Sequence, residues 1–245
     1  MSIHQLRATS EPCLLHIRGK NRLLSLLPAQ DYEHVRPLLE EVSFDGRVGL
    51  FKSDEPLSHV YFPLTAVASL VLTMDDGDGV EVGTVGNEGL VGVPLTLGAD
   101  RSPAEAVLQI PGDLLRITAD AFRNELDRSP VFSSVMRHYS QAFFALVSQS
   151  TGCNRLHPVE QRLCRWILMT HDRVGADHLP LTQEFIAIML GVRRASVSVA
   201  AGMLQKAGMI RYRRGTIDVV DREALEEGSC ECYGRVRSEY ERLLC

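Results

Sequence analysis

Residues 179–212, LPLTQEFIAIMLGVRRASVSVAAGMLQKAGMIRY, read as two short helices joined at a tight turn, and no other stretch limits the possible folds as strongly. Thr182 opens the first helix, because its side-chain oxygen can take up a free backbone N–H. Phe185, Ile186, Met189 and Leu190 follow at helical spacing. Gly191 ends that helix, since glycine adopts the left-handed backbone that closes one, and Val192 can plug the angle to the next. The second helix buries Val197, Ala200, Ala201 and Leu204 and turns Arg193, Arg194, Ser196, Ser198 and Gln205 toward solvent. Cationic and hydroxyl side chains on one helical face are what reading a major groove requires.

Two helices around a glycine also describe a plain core hairpin. The residues that follow separate the two readings. Gly208 closes the second helix, residues 209–212 form a short strand, Arg213-Arg214-Gly215 is a basic turn, and residues 216–220 (TIDVV) form a second strand. Such a hairpin is a wing that sets Arg213 and Arg214 against phosphates.

Charge is distributed to match. The chain carries a formal net charge of −5, yet residues 155–215 hold 10 Lys and Arg against 4 acids, net +6. Residues 1–154 are net −7 and the stretch from Thr216 onward is net −4. A basic block inside an acidic chain is the electrostatic footprint of nucleic-acid binding, where Lys and Arg displace counterions.

At 245 residues the chain can hold two modest domains. Its apolar runs, such as residues 66–72, are far too short to span a bilayer, and residues 1–20 lack the apolar core and cleavage site of a secretion signal. No membrane role is expected. The six cysteines, Cys13, Cys153, Cys164, Cys230, Cys232 and Cys245, form no disulfide framework, which fits a reducing cytoplasm.

The front two-thirds have a different texture. Residues 23–41 contain a short helix, with Asp31 as its cap and Val35, Leu38 and Leu39 behind it. Short β-rich runs then occupy residues 42–118, at 60–64, 67–74, 80–86 and 106–110, and DDGDG at 75–79 is a hairpin turn. Many short strands with regular turns imply a barrel, roll or sandwich. A small helix at 119–126 precedes a long one at 130–153, whose Phe132, Val135 or Met136, Tyr139, Phe143 and Leu146 form a coiled-coil stripe. Such a stripe also serves as intramolecular core, but helix-turn-helix proteins pair so that two recognition helices lie about 34 Å apart, and a homodimer with this helix as its axis is expected.

A β-roll, a long helix and a C-terminal winged helix-turn-helix, in that order, resemble the Crp/Fnr superfamily of bacterial transcription regulators. The likeness covers residues 25–222 and is most specific in LTQEFIAIMLGVRRASVSVAAGMLQKAGMI and its wing; in the roll it rests on HVYFPLTAVASLV and VGNEGLVGVPLTLGADRSP. It implies an α+β chain. A cyclic-nucleotide-binding-like sensor β-roll would span 20–128, a dimerisation helix 129–154, a Crp-type DNA-binding domain 155–222 and a helical extension 223–245. Promoter DNA, a second copy of the chain, RNA polymerase and a small-molecule effector are the partners implied.

Cyclic-AMP-binding relatives hold their ligand with a Gly-Glu pair and a downstream Arg-Ser pair, a sound arrangement for a phosphate anion. The matching positions here are Gly86, Glu88, Gly89, Arg101 and Ser102. Asn87 separates Gly86 from Glu88, the stretch to Arg101 is longer than in nucleotide binders, and Pro103 replaces a small residue. A cyclic nucleotide is one candidate, and a sensor that ignores small molecules is the alternative. An Fnr-like iron–sulfur cluster needs closely spaced N-terminal cysteines, and only Cys13 lies there. The metal-like pairs, Cys13 with His16, Cys153 with His157, and Cys230 with Cys232, each supply too few ligands to close a tetrahedral site alone, so no metal site is expected.

In the DNA module, familiar relatives place a Glu early in the recognition helix and an Arg four residues on; this chain has Ala195 and Val199. Base reading then falls to Arg193 or Arg194 with Ser196 and Ser198, while Thr182, Gln183, Arg213 and Arg214 suit phosphates. Asp221 caps a final segment, residues 221–244, with helical apolar spacing at Leu225, Cys232, Val236 and Tyr240, weakened by Gly228 and Gly234. No P-loop, nucleophile elbow, zinc-protease or dinucleotide motif is present, and His59, His138, His157, His171 and His178 show no ligand spacing, which argues against a cupin-like enzyme.

Overall fold

A computed structural model describes residues 20–244 of the protein. Cys13, His16 and Cys245 lie outside the described residues, as does most of the segment considered for a secretion signal. The N-terminal part runs α1 (Arg22–Ser25), α2 (Ala29–Val35), β1 (Glu40–Phe44), β2 (Gly49–Phe51), β3 (His59–Pro63), β4 (Val67–Thr73), β5 (Gly79–Val85), α3 (Val93–Thr96), β6 (Glu105–Ile110) and β7 (Gly112–Thr118). Next come α4 (Ala119–Arg128), α5 (Pro130–Leu156), α6 (Val159–Val174), β8 (His178–Leu179), α7 (Gln183–Leu190) and α8 (Arg194–Lys206). The chain ends with β9 (Ile210–Arg213), β10 (Thr216–Val219), α9 (Arg222–Glu227) and α10 (Cys232–Leu244). Two units result, one up to Leu70 with Thr84–Gln141 and one of Val71–Gly83 with Ala142–Leu243.

The roll is built from two sheets, ordered β1-β7-β3 and β2-β6-β4-β5. Its strands at 59–63, 67–73, 79–85 and 105–110 match the β-rich runs of the sequence to within a residue or so. The hairpin between β4 and β5 closes as its residues dictate: Gly77 has φ +88, and the Asp76 carboxylate accepts from the Asp78 N–H at 3.0 Å. Three further strands, β1, β2 and β7, lie in the same β-rich region without a distinct run of their own. β7 is nevertheless the centre of its sheet, and Arg116 on it forms a bidentate pair with Glu40 on β1 at 2.9 and 3.0 Å.

Asp31 does not cap α2; Pro28 stands at the cap, and the Asp31 carboxylate accepts from the Ser129 hydroxyl at 2.6 Å. That same Ser129 accepts from the Phe132 N–H at 3.1 Å, so it caps the long helix α5 while tethering α2 to it. Asn21, fully buried, donates to the carbonyls of Pro63 and Gly89, and its own oxygen accepts from the Leu24 N–H. The loop at Gly89 is thereby held against the roll.

The apolar stripe of α5 is core. Phe132, Met136, Tyr139, Ala142 and Leu146 are all 0 % exposed within the single chain, with Phe122 and Phe132 packed edge to face. Those side chains are covered by their own chain, whereas Val135 and Phe143 of the same stripe are half-buried. Outward from α5 point Ser134, Arg137, His138, Gln141, Phe144 and Ser148 instead. No single helix among the described residues is long and apolar enough to cross a membrane.

Close approach explains one glycine. A Cβ on Gly89 would collide with the ring of Tyr139, so only a hydrogen fits beneath that ring. Gly89→Ala should destabilise the first unit by about 1–3 kcal/mol through overpacking. The urea midpoint of the variant measures it, and an unchanged midpoint would mean that the loop yields freely.

Candidate nucleic-acid interface

Thr182 caps α7 as its chemistry predicts, its hydroxyl oxygen accepting from the Phe185 N–H at 3.2 Å. The other end of α7 closes in a Schellman arrangement: the Gly191 N–H donates to the Ile188 carbonyl and the Val192 N–H to the Ala187 carbonyl, both at 3.0 Å. Gly191 adopts φ 59 and ψ 45, a backbone that glycine reaches without strain. The chain then enters α8 at 107° to α7, inside the range of helix-turn-helix units.

Val197, Ala200, Ala201 and Leu204 are the buried residues of α8, as their spacing requires. Arg194, Ala195, Ser198, Val199, Gly202, Met203 and Lys206 are exposed and Ser196 is half-buried. Arg193 sits at the cap position rather than within the helix. Two apolar side chains of α8 are also exposed, Val199 at 65 % and Met203 at 53 %, of which the sequence singles out only Val199. Counting outward from the buried set finds them, since 195, 199, 203 and 206 share a face. Apolar groups there suit contact with thymine methyls, and the Arg194 guanidinium has the donor geometry that suits guanine.

The wing is one strand larger than the sequence suggests, with order β8-β10-β9. β8 is only two residues long, pairing Leu179 with Ile217 and His178 with Asp218, and so leaves no pattern to read. Arg213 pairs with Thr216, so the turn proper is Arg214-Gly215, with φ of 47 and 83. Positive φ at both positions suits a two-residue hairpin of the primed kind. Tyr212 braces the wing: its N–H donates to the Gln205 side-chain oxygen at 2.8 Å, and its hydroxyl accepts from the Gln183 N–H at 3.0 Å. Gln205 and the Gln183 N–H therefore act within the fold. A Cβ on Gly215 would meet Thr182 at 3.3 Å, which places the wing turn beside the start of α7.

Eight of the ten cations of the basic block fall into two groups. Arg162 and Arg165 are buried, at 6 % and 7 %, with Arg162 donating to the Leu190 carbonyl and Arg165 to the Ser150 hydroxyl at 2.9 Å. Burial lowers the pKa of the Arg162 guanidinium from its ordinary value. Arg193, Arg194, Lys206, Arg211, Arg213 and Arg214 are all exposed and have no ion-pair partner among the described residues. Cations without an ion-pair partner thus stand at both ends of α8 and on the wing, where they could attract phosphates.

The five effector candidates fall in two loops of the first unit. Gly86, Glu88 and Gly89 are buried, and the Glu88 carboxylate accepts from the Gly86 N–H at 3.1 Å. Arg101 is exposed, donating to the Asp54 carbonyl at 2.7 Å, while the Ser102 hydroxyl donates to the Ala104 carbonyl at 2.7 Å. In the second unit Cys153, Cys230, Cys232 and His157 lie together. A hydrogen bond with Cys230 lowers the Cys153 thiol pKa and raises that of Cys230, whereas burial pushes the separate Cys164 up to about 11.

A basic, winged helix-turn-helix preceded by a β-roll and a long helix defines a class of DNA-binding regulators. Comparison with known proteins bears this out: residues 41–129 match the cyclic nucleotide-binding domain and residues 161–227 the Crp-like helix-turn-helix domain. That second match includes α9, so the C-terminal extension begins within the family domain. No curated protein matches the chain. Solved structures share its fold at low identity. FixK2 from Bradyrhizobium japonicum superposes with TM-score 0.68 at 15 % identity, over 78 % of this chain and 98 % of its own. CLP, the c-di-GMP-responsive global regulator of Xanthomonas campestris, gives 0.65 at 16 %, over 78 % and 99 %. TTHB099, a transcriptional regulator of the CRP family from Thermus thermophilus, gives 0.65 at 15 %, over 78 % and 96 %. The protein belongs to the Crp/Fnr family of transcription regulators. Its relatives are regulators, not enzymes.

Arg194→Ala should weaken binding to a specific site by about 1–3 kcal/mol and barely affect random duplex, whereas Arg213→Ala should weaken both and reduce the salt slope by about 1. Fluorescence anisotropy titrations at several salt concentrations distinguish them. Equal losses on both duplexes for Arg194→Ala would move that residue to the phosphate backbone.

Proposed function

We propose that the protein is a homodimeric, sequence-specific regulator whose N-terminal unit gates promoter binding by the C-terminal one. The observation carrying this reading is the set of exposed, unpaired cations on α8 and the wing, presented by a helix whose opposite face is locked in the core. Dimerisation uses the outward face of α5. Phe144 is 65 % exposed at its centre, flanked by Gln141 and Ser148, where a second copy would cover it. Half-sites one DNA turn apart then suit a two-fold pair. RNA polymerase is the partner such a regulator acts upon, and the cytoplasm is the compartment where it meets DNA.

A second reading, a regulator that binds DNA constitutively, is favoured by the effector residues themselves. Arg101 is committed to the Asp54 carbonyl at the surface, and Glu88 to the backbone of its own loop. Each of the two side chains already bonds the backbone of the roll.

Capture of genomic fragments at about 150 mM salt, which suppresses purely electrostatic binding, tests both. Two-fold-symmetric sites enriched only with cyclic AMP would support nucleotide gating through Glu88 and Arg101. Equal enrichment with and without it supports the constitutive reading, and a failure to enrich any site counts against sequence-specific binding. Phe144→Glu should convert dimer to monomer in sedimentation velocity and reduce affinity for a symmetric site more than for a half-site. A dimer that survives the change would exclude this face of α5.

A further inference from the structure

Two residue pairs that are remote in sequence converge in the second unit. Cys153 and His157 stand four apart at the end of α5, where the His157 N–H donates to the Cys153 carbonyl at 3.1 Å, so both side chains leave one helical face. Cys230 and Cys232 flank Glu231 where α9 gives way to α10. The three sulfurs and one imidazole nitrogen all lie within 4.8 Å of one another. Cys153 Sγ is 3.5 Å from Cys230 Sγ, and Cys232 Sγ is 3.5 Å from His157 Nδ1.

Bond lengths of about 2.3 Å for zinc–sulfur and about 2.0–2.1 Å for zinc–nitrogen set the corners of a tetrahedron roughly 3.5–3.8 Å apart. We propose that Cys153, His157, Cys230 and Cys232 bind one zinc ion in a closed tetrahedral site.

Three independent features of the surroundings fit. His157 presents Nδ1 to the sulfurs while its Nε2 lies 3.2 Å from the Glu231 carboxylate, the outer partner that orients a ligating imidazole. The Gln149 side-chain amide donates to Cys232 Sγ at 3.0 Å, as amides do to ligating thiolates. Zinc with three thiolates and a neutral imidazole carries one net negative charge, and the interior holds cations to meet it. Arg162 and Arg165 are buried without a carboxylate partner among the described residues, and the Arg165 charge acts on Cys153. A buried cation left uncompensated is costly, and an anionic metal centre relieves that cost.

Thiolate ligands select a soft or borderline ion, and four protein ligands leave no open position, which marks the site as structural rather than catalytic. The mutual spacing fits a single ion, since a multi-iron cluster would hold its cysteines further apart. Bound zinc would clip the end of α5 to the α9–α10 junction, where Gly228 interrupts the helix.

The full-length chain, purified without chelator from zinc-supplemented culture, should contain one zinc per chain by elemental analysis. Stripped and reduced, it should develop the visible bands of tetrahedral, thiolate-bound cobalt on titration with Co(II), saturating at one equivalent and vanishing on addition of zinc. Glu231→Gln should keep the spectrum and weaken zinc binding about 10- to 100-fold. Cys232→Ser should lose the three-sulfur spectrum; because that variant can also misfold, the wild-type titration decides. Absence of zinc together with a six-coordinate cobalt spectrum overturns the proposal. So does a Cys153–Cys230 disulfide that forms equally fast with and without zinc, which would make the cluster a dithiol pair. These readouts stand whether or not the chain recognises a promoter.

Discussion

Which side chains α8 can offer to DNA follows from which ones it must bury. Val197, Ala200, Ala201 and Leu204 fix the rotation of the helix, and three of the four are small or β-branched, so the helix packs closely and has little freedom to roll. Once that face is locked, Arg194, Ser198, Val199 and Met203 face outward without further instruction. The left-handed turn at Gly191 sets the remaining variable, the direction in which α8 departs from α7. Placement of the cations at the start of the helix is therefore a result of core packing, with electrostatics acting on a geometry already determined.

The DNA-binding module is legible almost residue by residue because everything that specifies it is local. A threonine cap, a glycine stop, a 3.6-residue period and a two-residue turn all lie close together along the chain. The α5 stripe shows where such reasoning stops: periodicity reveals that Phe132, Met136, Tyr139 and Leu146 are covered, but does not say by what. Their covering is their own chain. β8 is silent because two residues carry no period, and Asp31 misleads because a carboxylate near a helix start serves a neighbour as readily as a cap. Charge counting has a related weakness, since Arg162 and Arg165 add to the basic block yet are buried.

The cysteines are the clearest case of information that only three dimensions supply. Spacing within each pair is visible, and each pair alone is insufficient. Cys153 and Cys230, far apart along the chain, meet only when the end of α5 and the α9–α10 junction fold together, and no local pattern announces that. The roll gives the converse case. Its glycines and its Glu88 and Arg101 sit at positions suggestive of a ligand site, yet the Glu88 carboxylate bonds its own loop and the Arg101 guanidinium bonds the Asp54 carbonyl of another.

Tyr212 ties the wing to both helices, one bond to the Gln205 side chain on α8 and another to the first N–H of α7. These two bonds hold the exposed edge of α8 and the wing turn at a set distance, so a module that read a groove with one and gripped phosphates with the other would act as a rigid die. A die of that kind does not adjust to the duplex beneath it. Any mismatch in groove width or curvature would then be taken up by the DNA, which would favour base steps that bend easily even where no side chain touches them.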